Sequence, residues 1–248
     1  MLKTLYRKIH KYGVNKSVKL AKSILLKKYY YQPFKKSFSQ YGEDIIINKL
    51  LNNKPKGFYV DVGAFEPDRL SNTKKFYLKG WQGINIEPNP DGIKKFNILR
   101  KRDINLNIGI SDKKGEMICY KFKESNSYTF SKELFNKYIE QGFHLEKKFR
   151  IAVDTLQNVF NKYLIGRKID FISIDIENRD IAALVGNNWE IYRPRVICIE
   201  SLSICDKDYD KKQERFLNGV NYKKVYENGL NSFYVDLALP GTWRKIRF

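Results

Sequence analysis

The chain has 248 residues, of which 42% are hydrophobic and 15% aromatic, and it carries a formal net charge of +20. This length and apolar content exclude a disordered chain and are enough for a full buried core. No run of about 18 apolar residues is present, which excludes a spanning helix, and lysines interrupt Leu2 to Leu26 throughout, which argues against a secretory signal, so the expected place is the cytoplasm.

The charge is uneven. Residues 1–42 hold eleven Lys and Arg and no acid, and the first carboxylate is Glu43. A basic excess confined to a tail is weak support for a nucleic-acid-binding domain. Leu2, Leu5, Tyr6 and Ile9 share one helical face, and Val14, Val18, Ala21, Leu25 and Tyr29 share another. Residues 1–37 therefore read as basic amphipathic helices, either lying on an anionic membrane surface or packing on the domain formed by residues 38–248. Cys119, Cys198 and Cys205 are an odd set without paired spacing, and two of them sit in apolar runs, as buried thiols do.

Ser39 or Gln40 opens a helix over Ile45 to Leu51, with Glu43 and Asp44 in its first turn, where the helix dipole favours acids. Phe58-Tyr59-Val60-Asp61-Val62-Gly63-Ala64 reads as a buried strand ending in an acid, a glycine and a small residue, the start of a doubly wound α/β unit. Ser71-Asn72-Thr73 starts a helix, Gly83 to Glu87 is a second strand, and Pro88-Asn89-Pro90 breaks it before a helix carrying Ile93, Phe96 and Leu99. Ile104 to Ile110 is expected to be a third strand, with Glu116 to Phe122 in a hairpin after it. Residues 123–149 form a polar insertion that holds a short helix, Ser131 to Tyr138, and His144; active-site lids are built from such segments.

Asp154-Thr155 caps a helix over Leu156 to Tyr163. Asp170 to Glu177 and Arg195 to Glu200 are expected to be buried strands with acids at their ends, and Ile181 to Val185 is helical. Tyr222 to Tyr226 and Ser232 to Leu237 flank Asn228-Gly229, a hairpin signal.

Asp61 and Glu87 are 26 residues apart, close to the spacing at which a second-strand carboxylate meets ribose hydroxyls. The glycine pattern that cradles a pyrophosphate is missing. A ligand with a ribose but no phosphates suits this pattern, and S-adenosylmethionine is such a ligand.

The ordered series Ser39-Gln40-x-Gly42-Glu43-Asp44, Asp61-Val62-Gly63-Ala64, Ser71-Asn72-Thr73, Gly80-Trp81-x-Gly83-Ile84-x-x-Glu87-Pro88, Thr155-Leu156, Asp170-Phe171-x-x-x-Asp175-x-Glu177 and Arg193-Pro194-x-x-x-x-x-Glu200 resembles the FkbM family of S-adenosylmethionine-dependent methyltransferases. The resemblance implies a class I, Rossmann-like α/β fold, a seven-stranded sheet closed by an antiparallel hairpin, and O-methylation of a sugar or nucleotide sugar used in a surface polysaccharide. On this reading Asp61, Gly63, Ala64, Glu87, Asn89 and Asn107 line the cofactor, joined by the family-suggested cleft residues Gln40, Glu43 and Asn72, and by Asp175. Asp175, Glu177 and His144 are the candidate bases, in that order. Asp175-x-Glu177 is also the place for a divalent metal, although two carboxylates do not make a metal site. The family's glycine after the glutamate is Asn178 here, the non-glycine residue best suited to a left-handed turn. Two rival functions are nucleic-acid methylation and a non-catalytic membrane-surface adaptor on the same fold. Asp175-Ile176-Glu177-Asn178 disfavours the first because it lacks the Asn/Asp-Pro-Pro-Tyr/Phe pattern, and the retained acids disfavour the second.

Overall fold

A computed structural model describes residues 37–123, 128–203 and 205–239. The basic segment over residues 1–37 falls outside the described residues except for its last member, Ser37. Helix α1 (Glu43–Leu50) leads into β1 (Phe58–Val62), and α2 (Lys74–Leu78) into β2 (Gln82–Ile86). Then come α3 (Pro90–Leu99), β3 (Ile104–Leu106), β4 (Gly109–Ile110), β5 (Gly115–Phe122), β6 (Tyr128–Thr129), α4 (Lys132–Glu140) and β7 (Leu145–Asp154). The chain continues through α5 (Leu156–Tyr163), β8 (Phe171–Ile174), α6 (Asp180–Val185), β9 (Val196–Glu200), α7 (Tyr209–Gly219), β10 (Tyr222–Glu227) and β11 (Asn231–Asp236).

Seven strands form the main sheet in the order β10-β11-β9-β8-β1-β2-β3. β8, β1, β2, β3 and β9 run parallel, and β11 and β10 close the sheet antiparallel. This is the class I methyltransferase arrangement. Every residue of β1 and β8 is buried, because helices cover both faces of a parallel sheet. Alternate residues sort the core. Val60, Val62, Ile172, Ile174, Ile197 and Ile199 pack towards α5, α6 and α7, whereas Tyr59, Phe171 and Cys198 pack with Ile46, Ile47, Phe76 and Trp81 from the α1 and α2 side. Cys119 is also buried.

Several boundaries differ from the sequence reading. The expected strand Ile104 to Ile110 is two strands in different sheets, broken at Asn107-Ile108, whose second half starts a four-stranded sheet in the order β4-β7-β5-β6. That second sheet is the insertion, built mainly on the long β5–β7 pairing from Gly115↔Val153 to Phe122↔Leu145. β8 stops at Ile174, so Asp175, Ile176 and Glu177 belong to a turn. α1 begins at Gly42 with φ +85° and no side-chain cap, and Ser39 instead clamps Asp44, giving its hydroxyl to Oδ1 and accepting from the Asp44 N–H. α7 lacks a counterpart in the sequence reading; its buried residues Tyr209, Gln213 and Leu217 recur every four positions amid charged neighbours.

Candidate functional site at the carboxyl edge of the sheet

β1 and β8 meet at the centre of the sheet, where the strand order reverses and the loops after adjacent strands diverge. Gly63 and Ala64 leave β1 there, both donating to the Ile86 carbonyl. Gly63 has φ +77°, and a Cβ on it would overlap the Asp175 carbonyl oxygen. The glycine is therefore required for close packing of two strand ends, in addition to its left-handed turn. Ala64 packs on Ile93 and Phe96 of α3.

Glu87 follows β2 and is buried. Its Oε2 accepts from the Phe65 N–H at 2.7 Å and its Oε1 from the Asn89 N–H at 2.7 Å, which ties the loops after β1 and β2 together. Burial still dominates and lifts its pKa to about 7. Asn89 caps α3 through Asp91, and the Asn107 amide donates to the carbonyls of Glu87 and Pro88, so both asparagines shape the loop around this carboxylate. Asp61 lies on β1 with its Oδ2 accepting from the Thr73 hydroxyl at 2.7 Å; burial raises its pKa to about 6, opposed by that bond. Asn72 bypasses the helix cap and reaches across the sheet edge, donating to the Ser173 hydroxyl at 2.9 Å.

At the end of β8, Glu177 and Asn178 have φ of +53° and +71°, two successive left-handed residues. The expectation for Asn178 holds, and Glu177 shares the conformation. Asp175 is exposed at this edge, with acids close by. Desolvation and the charges of Glu177, Asp180 and Asp61 hold its pKa well above the usual carboxylate range, against a hydrogen bond with Glu200. That partner follows from register: Ile174, the last residue of β8, lies opposite Ile199, so the residues that follow them are Asp175, just past β8, and Glu200, at the end of β9. Beneath the turn, buried Asp180 accepts from the Ile176 N–H, and its Oδ2 accepts from the Tyr209 hydroxyl, which itself accepts from the Asp180 N–H.

The insertion closes over this edge. The Thr129 hydroxyl donates to the Glu177 carbonyl at 3.3 Å, and buried Tyr138 on α4 has its hydroxyl pKa raised by burial and by the charges of Glu177, Glu200, Cys205 and Asp175. Thr129 shows in the sequence only as part of Ser127-Tyr128-Thr129, a loose match to the family's threonine loop, and Tyr138 carries no sequence signal, because the folding of the insertion is what brings each to the site. The Asn178 amide nitrogen is buried without a hydrogen-bond partner among the described residues.

Asp61, Asn72, Glu87, Asp175 and Glu177 thus share the carboxyl edge, with Gly63, Ala64, Asn89 and Asn107 shaping its loops. Glu43 has a different partner set: its carboxylate accepts from the Tyr41 N–H and from the amides of Asn228 and Asn231, which fastens α1 to the β10–β11 hairpin. Gln40 is exposed beside Tyr41. His144 is exposed just before β7, its carbonyl accepting from the Lys123 N–H. Among the described residues no group of three or more His, Cys, Asp or Glu side chains is placed to hold a metal ion, and no helix is long and apolar enough to cross a membrane.

A family model described as the methyltransferase FkbM domain matches residues 61–223. No curated protein matches the chain. Among solved structures, the chain has a likeness to the 1,6-didemethyltoxoflavin-N1-methyltransferase of Burkholderia thailandensis, whose structure holds 1,6-didemethyltoxoflavin and S-adenosylhomocysteine. The two are 10% identical, with a TM-score of 0.40 over 88% of this chain and 86% of the other.

Proposed function

The chain belongs to the FkbM methyltransferase family, and from that premise we propose that it methylates a hydroxyl of a sugar or nucleotide sugar, with a surface polysaccharide as the destination of the product. Its methyl donor is S-adenosylmethionine. The donor set at the carboxyl edge fits that molecule. A buried carboxylate, Glu87, retains acceptor capacity for ribose hydroxyls after taking two backbone N–H groups. Asp61 offers negative charge to the cationic end of the cofactor, and the unpartnered Asn178 amide offers a donor to an oxygen.

When bound, the cofactor supplies a methyl group on a sulfonium, open to in-line displacement. The chain's own contribution is alignment and proton transfer. With the donor bound, Asp175 would take the proton of the acceptor hydroxyl as the methyl group is transferred. The position of Asp175 is the observation that carries this reading: its N–H donates to the Val62 carbonyl and its own carbonyl packs on Gly63, which sets it beside the β1 turn at the carboxyl edge. An oxygen acceptor needs such a base at the moment of transfer. Glu177, two residues on, orients the acceptor.

The test is incubation with labelled S-adenosylmethionine and a panel of nucleotide sugars, followed by Asp175→Asn. We expect turnover to fall roughly 10²–10⁴-fold with a smaller change in S-adenosylhomocysteine affinity. Unchanged turnover overturns the assignment of Asp175. Activity lost with EDTA and restored by Mg²⁺ or Mn²⁺ replaces Glu177's orienting role with a shared metal.

A further inference from the structure

On the opposite edge of the sheet, at the amino ends of β1, β2 and β8, lies a hollow of about 410 Å³ lined by Lys56, Gln82, Arg167, Lys168 and Asp170. Its cations come from two separate segments, the loop before β1 and the loop before β8. Asp170 is the only acid among these residues, and it is already neutralised: Oδ1 accepts from Lys54 Nζ at 2.5 Å and Oδ2 from the Phe58 N–H at 3.0 Å. Lys56 and Lys168 are exposed and have no carboxylate partner among the described residues. Many other lysines of this protein do, including Lys74, Lys95, Lys121, Lys212 and Lys224. Arg167 is held in place, its guanidinium 5.4 Å from the centre of the Phe58 ring and its Nη1 donating to Gln82 Oε1 at 3.2 Å.

Three positive charges held around one concavity repel one another, and an anion inside relieves that repulsion. An ordered guanidinium with two ammonium groups matches the charge and oxygen geometry of a phosphoryl group. The volume lies in the range of small-molecule sites and exceeds what a phosphate alone needs. We propose that this hollow binds the phosphoryl group of a phosphorylated small molecule or a phospholipid headgroup. The site is separate from the methyl-transfer edge and stands whether or not the acceptor is a sugar.

Titration of the full chain with inorganic phosphate and pyrophosphate, and sedimentation with phosphatidylglycerol or phosphatidylcholine vesicles, test it. Pyrophosphate should bind and weaken as salt rises, and Lys56→Glu with Lys168→Glu should lower that affinity by about tenfold or more. S-adenosylhomocysteine affinity should be unchanged in the same variant, which also reports that the chain is folded. If the charge reversals unfold it, Lys56→Gln with Lys168→Gln should weaken binding in the same direction. Binding only to phosphatidylglycerol vesicles, lost in the variant, assigns the phosphate to a lipid. No binding of pyrophosphate or anionic vesicles overturns the proposal, as does binding that is equal in the variant and the natural chain.

Discussion

Glu87 accepts N–H groups from two loops, yet burial holds its pKa near 7. A ribose hydroxyl pair donating to it favours the ionised form, so cofactor binding should release a proton below pH 7 and tighten as pH rises through that value. Calorimetry of S-adenosylhomocysteine binding in buffers of different ionisation enthalpy measures this directly. Glu87→Ala should lose about 1.5–3 kcal/mol of affinity, the range for a hydrogen bond to a charged group, and should abolish the proton release. Unchanged affinity in that variant would place the ribose elsewhere. Tyr209 is the corresponding test of a structural role. Replacing it with Phe strands the Asp180 N–H and carboxylate, which should cost about 1–3 kcal/mol in denaturant unfolding.

At the scale of elements, the sequence shows its strands most clearly where both sheet faces are buried. β1, β2, β8 and β9 are rich in apolar residues, and the acids at or near their ends mark the candidate edge. Asn228-Gly229 marks the hairpin for a local reason, since the Asn228 carboxamide oxygen accepts from the Leu230 and Asn231 N–H groups. α7 is illegible because one narrow stripe, Tyr209, Gln213 and Leu217, is hidden among lysines and acids, and its central member is polar. The end of β8 misleads because Ile176 continues the apolar pattern while Glu177 has already turned left-handed. Glu43 misleads for a further reason: its partners Asn228 and Asn231 are about 185 residues away, beyond any local pattern. Gly63→Ala tests the packing of the β1 turn. Clash with the Asp175 backbone and the positive φ should together cost on the order of 1–3 kcal/mol and weaken cofactor binding by moving the turn. Equal stability to the natural chain would refute the close-packing argument.

Across the whole molecule, Asp61, Glu87 and Asp180 share one property: their folded pKa values, about 6, about 7 and about 6, exceed their ordinary values of 3.8, 4.5 and 3.8. Between the ordinary and folded values the native state holds protons that the unfolded chain has lost, so stability falls as pH rises through that window. The ligand-free protein should therefore melt at a higher temperature near pH 5 than near pH 7.5, with each fully buried acid contributing on the order of 2 kcal/mol. Glu87→Gln should flatten the profile between pH 5 and 7. A melting temperature that rises over this range in the natural chain would contradict it.

The insertion begins and ends on paired strands. β4 and β7 lie side by side in parallel, Gly109 against Val153 and Ile110 against Asp154, so a segment of more than 40 residues leaves and re-enters the domain at one place. Lengthening a segment hung this way costs the scaffold little, about 0.6 kcal/mol for each doubling of a flexible loop. On the proposed function the insertion is an exchangeable wall, and Asp61 and Glu87, the carboxylates assigned to the methyl donor, lie on elements outside it. Grafting residues 111–152 from a relative with another acceptor should transfer the choice of acceptor and leave donor affinity where it was.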